Sequence, residues 1–336
     1  MKSIVSTMLL KPVRLLALTI GSATLAFGAA HAQSANKYPD KPVRMVVPFA
    51  PGGPADVMAR VLAKEMSERM NQSVIVDNRP GAGGNIGTDV VAKSAADGYS
   101  VGLIAISSLT ISPHLFAKLP YDGVKDFTPI TMVGIAKGAV LAHPSAPFSD
   151  LRGMVDYAKA NPGKISYASS GIGTAPHLAA EYLQVVTGIK MTHVPYKGTA
   201  PAAQDLLAGV IPVGFESSLT ASGRYVADGR LKAIGITSAT RASLLPDVPT
   251  VAEQGYPGFD VPTAFGLVGP AGMPAEIVFR LSTVVADSMK SAEAIERFAG
   301  IGAEPKADGP ELFSRFLASE TERWGALIRQ VGITLD

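Results

Sequence analysis

The stretches best suited to chemistry lie where a strand hands over to a helix. "PFAPGGPADVMAR" (48–60) follows the apolar run Val43–Val47 and packs three prolines and two glycines into seven residues. Gly52 and Gly53 let backbone N–H groups come close to a bound group. The helix that follows begins with unpaired N–H donors and a partial positive charge, which suits an anion. Phe49, Gly53, Pro54, Ala55 and Asp56 are the candidates here. Asp56 has two readings: it steadies the first helical turn, or it orients a water or accepts from a protonated ligand group. In "AISSL" (105–109), Ser107 ends another strand and can donate a hydroxyl.

A later stretch, "SYASSGIGTAPHLAAEYL" (166–183), repeats the arrangement. Ser169 and Ser170 end a strand. Thr174 can cap a helix with Pro176 in its first turn, and His177 follows. "VGFESS" (213–218) ends a further strand, where Glu216 could accept from a ligand or only satisfy nearby amides. Amide and hydroxyl donors from two such cups can hold a carboxylate without an arginine, at about 1.5–3 kcal/mol per charge-assisted hydrogen bond.

Several other chemistries lack their signatures. "NRPGAGGNIG" (78–87) has Ile86 where a dinucleotide fingerprint needs its third glycine, and no Gly-Lys-Ser/Thr follows it as in a phosphate loop. There is no Gly-x-Ser-x-Gly elbow. His114, His143, His177 and His193 show no metal-ligand spacing. No catalytic residue, metal or cofactor is expected.

The elements that must position these cups alternate between strand and helix. Val43–Val47, Val74–Val76 and Val101–Ile106 read as strands, with helices over 56–70 and 85–94 between them. The extended "FTPITMVGIA" (127–136) leads into a second alternating unit. "FDVPTAFGLVGP" (259–270) reads as the return, followed by helices near 275–290, 292–298 and 310–331. The pattern predicts an α/β protein with mostly parallel sheets covered on both faces. One lobe comprises 33–135 plus 262–336 and is interrupted by a second, 136–261. Two crossover segments form the hinge.

The 336 residues fit about two domains. With 47% apolar and 17% charged residues the chain can bury substantial cores, and a net charge of +2 gives no nucleic-acid footprint. Residues 1–32 read as a secretory signal: Lys2, Lys11 and Arg14 precede an uncharged apolar stretch and the small-residue site Ala30-His31-Ala32. With no cysteine there can be no disulfide, thiolate metal site or lipid-anchored export signal. A periplasmic location is expected, with no membrane span after cleavage.

The chain resembles the Bug receptors, the extracytoplasmic solute receptors of tripartite tricarboxylate transporters. The resemblance rests on "YPDKPVRMVVPFAPGGPADVMAR", "VDNRPGAGGNIGTDVVAKSAADGY", "LPYDGVKDFTPIT", "ANPGKISYASSGIGT", "HVPYKGTAPAAQDLLAG", "LPDVPTVAEQGYPGF" and "FGLVGPAGMP". It implies a two-lobed periplasmic binding protein of type II, a Venus flytrap. It also implies that loops around Gly53–Asp56 and Ser107 hold one ligand carboxylate, partly through ordered waters, and that Ser169, Thr174 and His177 face it from the second lobe. The implied partner is an integral-membrane transporter with a large and a small subunit. The sequence departs from the family pattern at Ala55, where threonine is common, at Ala175-Pro176, where Ser-Gln is usual, and at Glu216-Ser217, where Asp-Asn is usual. The ligand's identity therefore does not transfer.

The expected function is that of a non-enzymatic, monomeric receptor that captures a small carboxylate by lobe closure. A ligand-sensing co-receptor for a sensor kinase is one alternative. An exported hydrolase is the other, and it would need Ser107 or Ser169 within hydrogen-bond reach of a histidine.

Overall fold

The computed structural model describes residues 38–220 and 222–333. The expected signal segment lies outside the described residues. Pro42–Asp336 form one compact unit.

The first unit of alternation in Pro42–Asp336 runs β1 (Val43–Val47), α1 (Pro54–Met70), β2 (Val74–Asn78), α2 (Asn85–Ala92), β3 (Ser100–Ala105), the short turns α3 (Ser107–Thr110) and α4 (Ser112–Leu115), and β4 (Phe127–Ala136). The second runs β5 (Ala139–Ala142), α5 (Leu151–Ala160), β6 (Ser166–Ser169), α6 (Ala175–Thr187), β7 (Thr192–Pro195), α7 (Thr199–Leu207), β8 (Val213–Glu216), α8 (Gly223–Ala227) and β9 (Lys232–Ile236). The chain then returns through β10 (Thr263–Pro270), α9 (Ala275–Ser288), α10 (Ala292–Ala299), β11 (Ala303–Pro305) and α11 (Gly309–Val331).

These strands make two sheets, β11-β4-β10-β3-β1-β2 and β7-β6-β8-β5-β9. The sheets are mixed, which corrects the expectation of mostly parallel pairing. β1–β2, β1–β3, β6–β7 and β6–β8 are parallel. β10 runs against β3 and β4, β11 against β4, and β5 against β8 and β9. The reversals belong to the strands that leave or re-enter a sheet at the crossovers. A strand returning from the other lobe enters the sheet opposite to one that is leaving, so it pairs antiparallel. Such a reversal leaves no mark in the hydrophobic pattern. The same holds for α3, α4, α8 and β11, which are too short to show a period.

Apolar side chains fill the space around each sheet. Val46, Ile104, Met132, Val268 and Phe313 belong to a cluster around the first sheet. Leu141, Ala168, Leu206 and Ile236 belong to one around the second. A third cluster joins Val140, Tyr167 and Phe215 of the second sheet to Ile111 and Leu115 of the short turns. It also takes in Trp324 and Ile328 of α11. Phe313, Leu317, Trp324 and Ile328 share one face of that helix at helical spacing. Its first half therefore packs on the first lobe's core, and its second half on a core built largely from the second lobe. α11 braces both lobes as well as the two crossovers.

Candidate ligand-binding cleft

The two lobes touch along their strand–helix junctions. The Ala50 N–H donates to the Lys197 carbonyl at 3.1 Å. Gly83 (φ 64°) faces the 171–173 loop so closely that a Cβ there would lie 1.9 Å from the Ile172 carbonyl oxygen. Gly171 (φ 134°) in turn abuts Gly83. Gly83 thus makes a lobe–lobe contact that tolerates no side chain, and the 81–84 turn stays out of the cavity wall.

Between the junctions lies a cavity. Phe49, Gly53, Pro54, Ala55, Ser107, Ser170 and Thr174 all line it. Sequence reasoning missed other wall residues: Ala105 and Phe265 at the floor strands, Ala175 and Pro176 in the first turn of α6, Thr199 at the start of α7, and Ser217 and Thr263. Thr199 carried a detectable signal. Gly198 (φ 136°) precedes it, as Gly53 precedes α1, and "YKGTAP" repeats the small-residue strand–helix junction. The Thr199 and Ser217 hydroxyls lie 2.9 Å apart.

No charged side chain lines this cavity. Three helices begin on it instead. α1, α6 and α7 start after Gly53, Thr174 and Gly198, and in none of them does a side chain cap the first turn. Of the other described helices, α5 and α10 are capped by side chains, Asp150 accepting from Gly153 N–H at 2.7 Å and Ser291 from Ala294 N–H at 3.1 Å. The rest, like these three, are not, and of them only the short turn α3, at Ser107, starts on the cavity. The cavity therefore receives several free N–H donors and three positive dipole ends. The Ser107 hydroxyl adds to them. It is buried and has no partner in the protein.

Four other candidates point away from the cavity, each with partners of its own. Asp56 accepts from Gly52 N–H at 3.0 Å, from Arg60 at 2.9 Å and from Asn78 at 3.0 Å. Burial works against its charge, but these donors outweigh it and hold the carboxyl below its usual range. Asn78 also donates to the Phe49 carbonyl at 3.0 Å. The Asp56 carboxylate thus fixes the shape of the 49–52 turn.

Ser169 and His177 belong to a layer beneath the second cup. The Ser169 hydroxyl lies 2.7 Å from His193 Nε2 and accepts from Gly171 N–H at 3.1 Å. His193 is stacked between His177, with ring centres 4.1 Å apart, and Tyr167, at 4.9 Å. His177 Nδ1 accepts from Gly173 N–H at 3.2 Å. Burial and then the neighbouring His193 push His177 down to about 3, and burial pushes His193 down to about 4. Both rings are neutral at ordinary pH and act as a flat support for the 171–174 turn.

Glu216 is fully buried. Ser222 donates to one carboxyl oxygen, and the other has no partner. Burial pushes its pKa up to about 8 against the lowering effect of Ser222, so near neutral pH the group is mostly the uncharged acid. Its neighbour Ser217, the first residue past the end of β8, lines the cavity instead.

The described residues contain no cluster of three or more His, Cys, Asp or Glu able to hold a metal, and no helix long and apolar enough to cross a membrane.

Residues 58–333 match the family described as tripartite tricarboxylate transporter family receptor. Protein BugT of Bordetella pertussis is 38% identical over 323 residues, covering 96% of this chain and 98% of that protein. The solved structure of the periplasmic binding protein BugD superposes with a TM-score of 0.84 at 35% identity, over 89% of this chain and all of that one. An R. palustris protein solved with adipate also gives 0.84, at 34% identity and the same coverage. With two α/β lobes meeting at a cavity and a match along almost its whole length, the chain belongs to the tripartite tricarboxylate transporter family of receptors and has their two-lobed periplasmic-binding-protein fold.

Proposed function

We propose that the protein binds one small carboxylate-bearing metabolite in this cavity and delivers it to the large and small membrane subunits of a tripartite transporter. In this reading the lobes are 33–135 with 262–336, and 136–261. They close on the ligand about the crossovers at 137–138 and 237–262. Residues 1–32 direct export to the periplasm and are cleaved, and the receptor works as a monomer without catalysis.

The observation that carries this reading is the convergence of three uncapped helix starts on a cavity with no charged wall. A carboxylate supplies the charge and acceptors that such a wall lacks. A cation would meet the wrong ends of three dipoles. The R. palustris neighbour with adipate supports the same class of ligand. The test is native mass spectrometry of the receptor purified from a periplasmic extract. A retained one-to-one ligand carrying a carboxylate is expected; a retained amine or neutral sugar would refute it.

The Ser169–His193 contact meets the distance required of a hydrolase. Geometry argues against that reading. The Ser169 side chain is fully buried and absent from the cavity wall. The nearby acid, Glu181, lies 3.8 Å from His177 and accepts from the Tyr167 hydroxyl at 2.6 Å. Ester hydrolysis that disappears in Ser169→Ala would favour the hydrolase.

A further inference from the structure

A second cavity adjoins the cleft on the hinge side, and Ser107, Ala175 and Thr263 line both. The two differ greatly in size. The cleft cavity has a free volume of about 20 Å³, the hinge-side chamber about 270 Å³. A single water needs roughly 10–15 Å³ of such space. With the lobes in contact, the cleft has room for little more than a ligand's head group. The body of any larger ligand needs somewhere else to go. Where the two spaces meet lies the buried, unpartnered Ser107 hydroxyl, a donor at their junction.

The chamber's chemistry says what kind of body fits. Apolar residues, Ile111, Ile135, Pro262, Ala264, Phe316 and Trp324 among them, make up just over half of its wall. Its charges are Asp260, Glu320 and Arg323. Arg323 is already engaged. It donates to Glu320 at 3.2 Å and to the Asp260 carbonyl, and its guanidinium lies over the Trp324 ring at 4.4 Å. Trp324 Nε1 donates to Glu320 at 2.8 Å. A second carboxylate here would face two acids with the one cation committed elsewhere.

We infer that the hinge-side chamber receives the apolar body of a monocarboxylate whose head group lies in the cleft. The receptor therefore prefers elongated aliphatic or aromatic monocarboxylates to dicarboxylates of similar length. This rests on the carboxylate reading above and narrows it. Ala175, which lines both spaces, and Pro176, on the cleft side, replace the polar pair implied by the family resemblance and suit such a body.

Trp324 is the sole tryptophan and lines the chamber, so its emission reports occupancy directly. The experiment titrates the full receptor with propionate, adipate, 3-phenylpropionate and 3-phenylpropionamide. It is expected that 3-phenylpropionate binds at least tenfold tighter than propionate or adipate and shifts Trp324 emission. Ile135→Phe, which fills the chamber, should weaken 3-phenylpropionate at least tenfold and leave propionate within twofold. Should that variant misfold, Phe316→Leu enlarges the chamber instead and should favour 4-phenylbutyrate over 3-phenylpropionate. Adipate binding tighter than 3-phenylpropionate, or chamber variants that change all acids equally, would overturn the inference and leave the carboxylate reading standing. Equal binding of the acid and its amide would overturn both.

Discussion

The Ala50 N–H and the Lys197 carbonyl, 147 positions apart in the chain and at the ends of strands in different sheets, are hydrogen-bonded at 3.1 Å across the cleft mouth. This bond joins main chain to main chain, so it needs no particular side chain at either position. It ties the strand–helix junction that ends β1 to the one that ends β7. The two cups can enclose an anion only if their junctions meet in this way.

The neighbouring contact between Gly83 and the 171–173 loop gives the sharpest test of closure. Gly83→Ala places a methyl group against the Ile172 carbonyl. It should lower ligand affinity at least tenfold, because closed, binding-competent molecules become rare. Gly163→Ala is the control. Gly163 has a similar φ of 73° with nothing within 4 Å of an added methyl group. Both variants should lose about 1–2 kcal/mol of stability to left-handed strain, but only the first should lose affinity by calorimetry.

Ser107→Ala should separate binding from folding. The hydroxyl is buried without a partner, so its removal should leave the ligand-free melting temperature unchanged or raised. If it donates to a carboxylate, affinity should fall by about 1.5–3 kcal/mol, roughly 10-fold to 150-fold. A stability loss without an affinity loss would remove Ser107 from the site.

Glu216 should make stability depend on pH. Its pKa in the folded protein, about 8, lies above the ordinary value of 4.5 because of burial. The folded state therefore binds the proton more tightly than the unfolded state does. The stabilisation is complete below about pH 4.5 and is lost as pH rises toward 8. Melting temperature should fall over that window. Glu216→Gln should flatten the slope and be the more stable protein at pH 8.

Trp324 should act as a brace. Its side chain is buried in the cluster that α11 shares with the second lobe. Trp324→Ala should cost about 3–5 kcal/mol of stability by denaturant titration. If α11 served the first lobe alone, second-lobe amides would keep their hydrogen-exchange protection in this variant.

The sequence showed most elements and half of the cleft. β1, β4 and the starts of α6 and α10 fall where hydrophobic period, proline and small-residue turns place them. Phe49 and Gly53–Ala55 were legible because a turn crowded with glycine and proline before a helix has few other uses. Strand direction was not legible, since pleated alternation looks the same either way. Nor was the orientation of Asp56, Ser169, His177 and Glu216. Each sits at the right junction, but neighbouring residues on a strand or helix point in different directions. The partners that fix them, Arg60, His193, Gly173 and Ser222, are settled by tertiary packing.

The central claim is that main-chain dipoles, without any charged side chain, hold the ligand's carboxylate. Isothermal calorimetry of the receptor with its tightest acid, and with that acid's methyl ester and amide, tests it most directly. One-to-one binding of the acid at micromolar or tighter affinity is expected, with at least a hundredfold loss for both neutral analogues. Comparable affinity for acid, ester and amide would contradict the account.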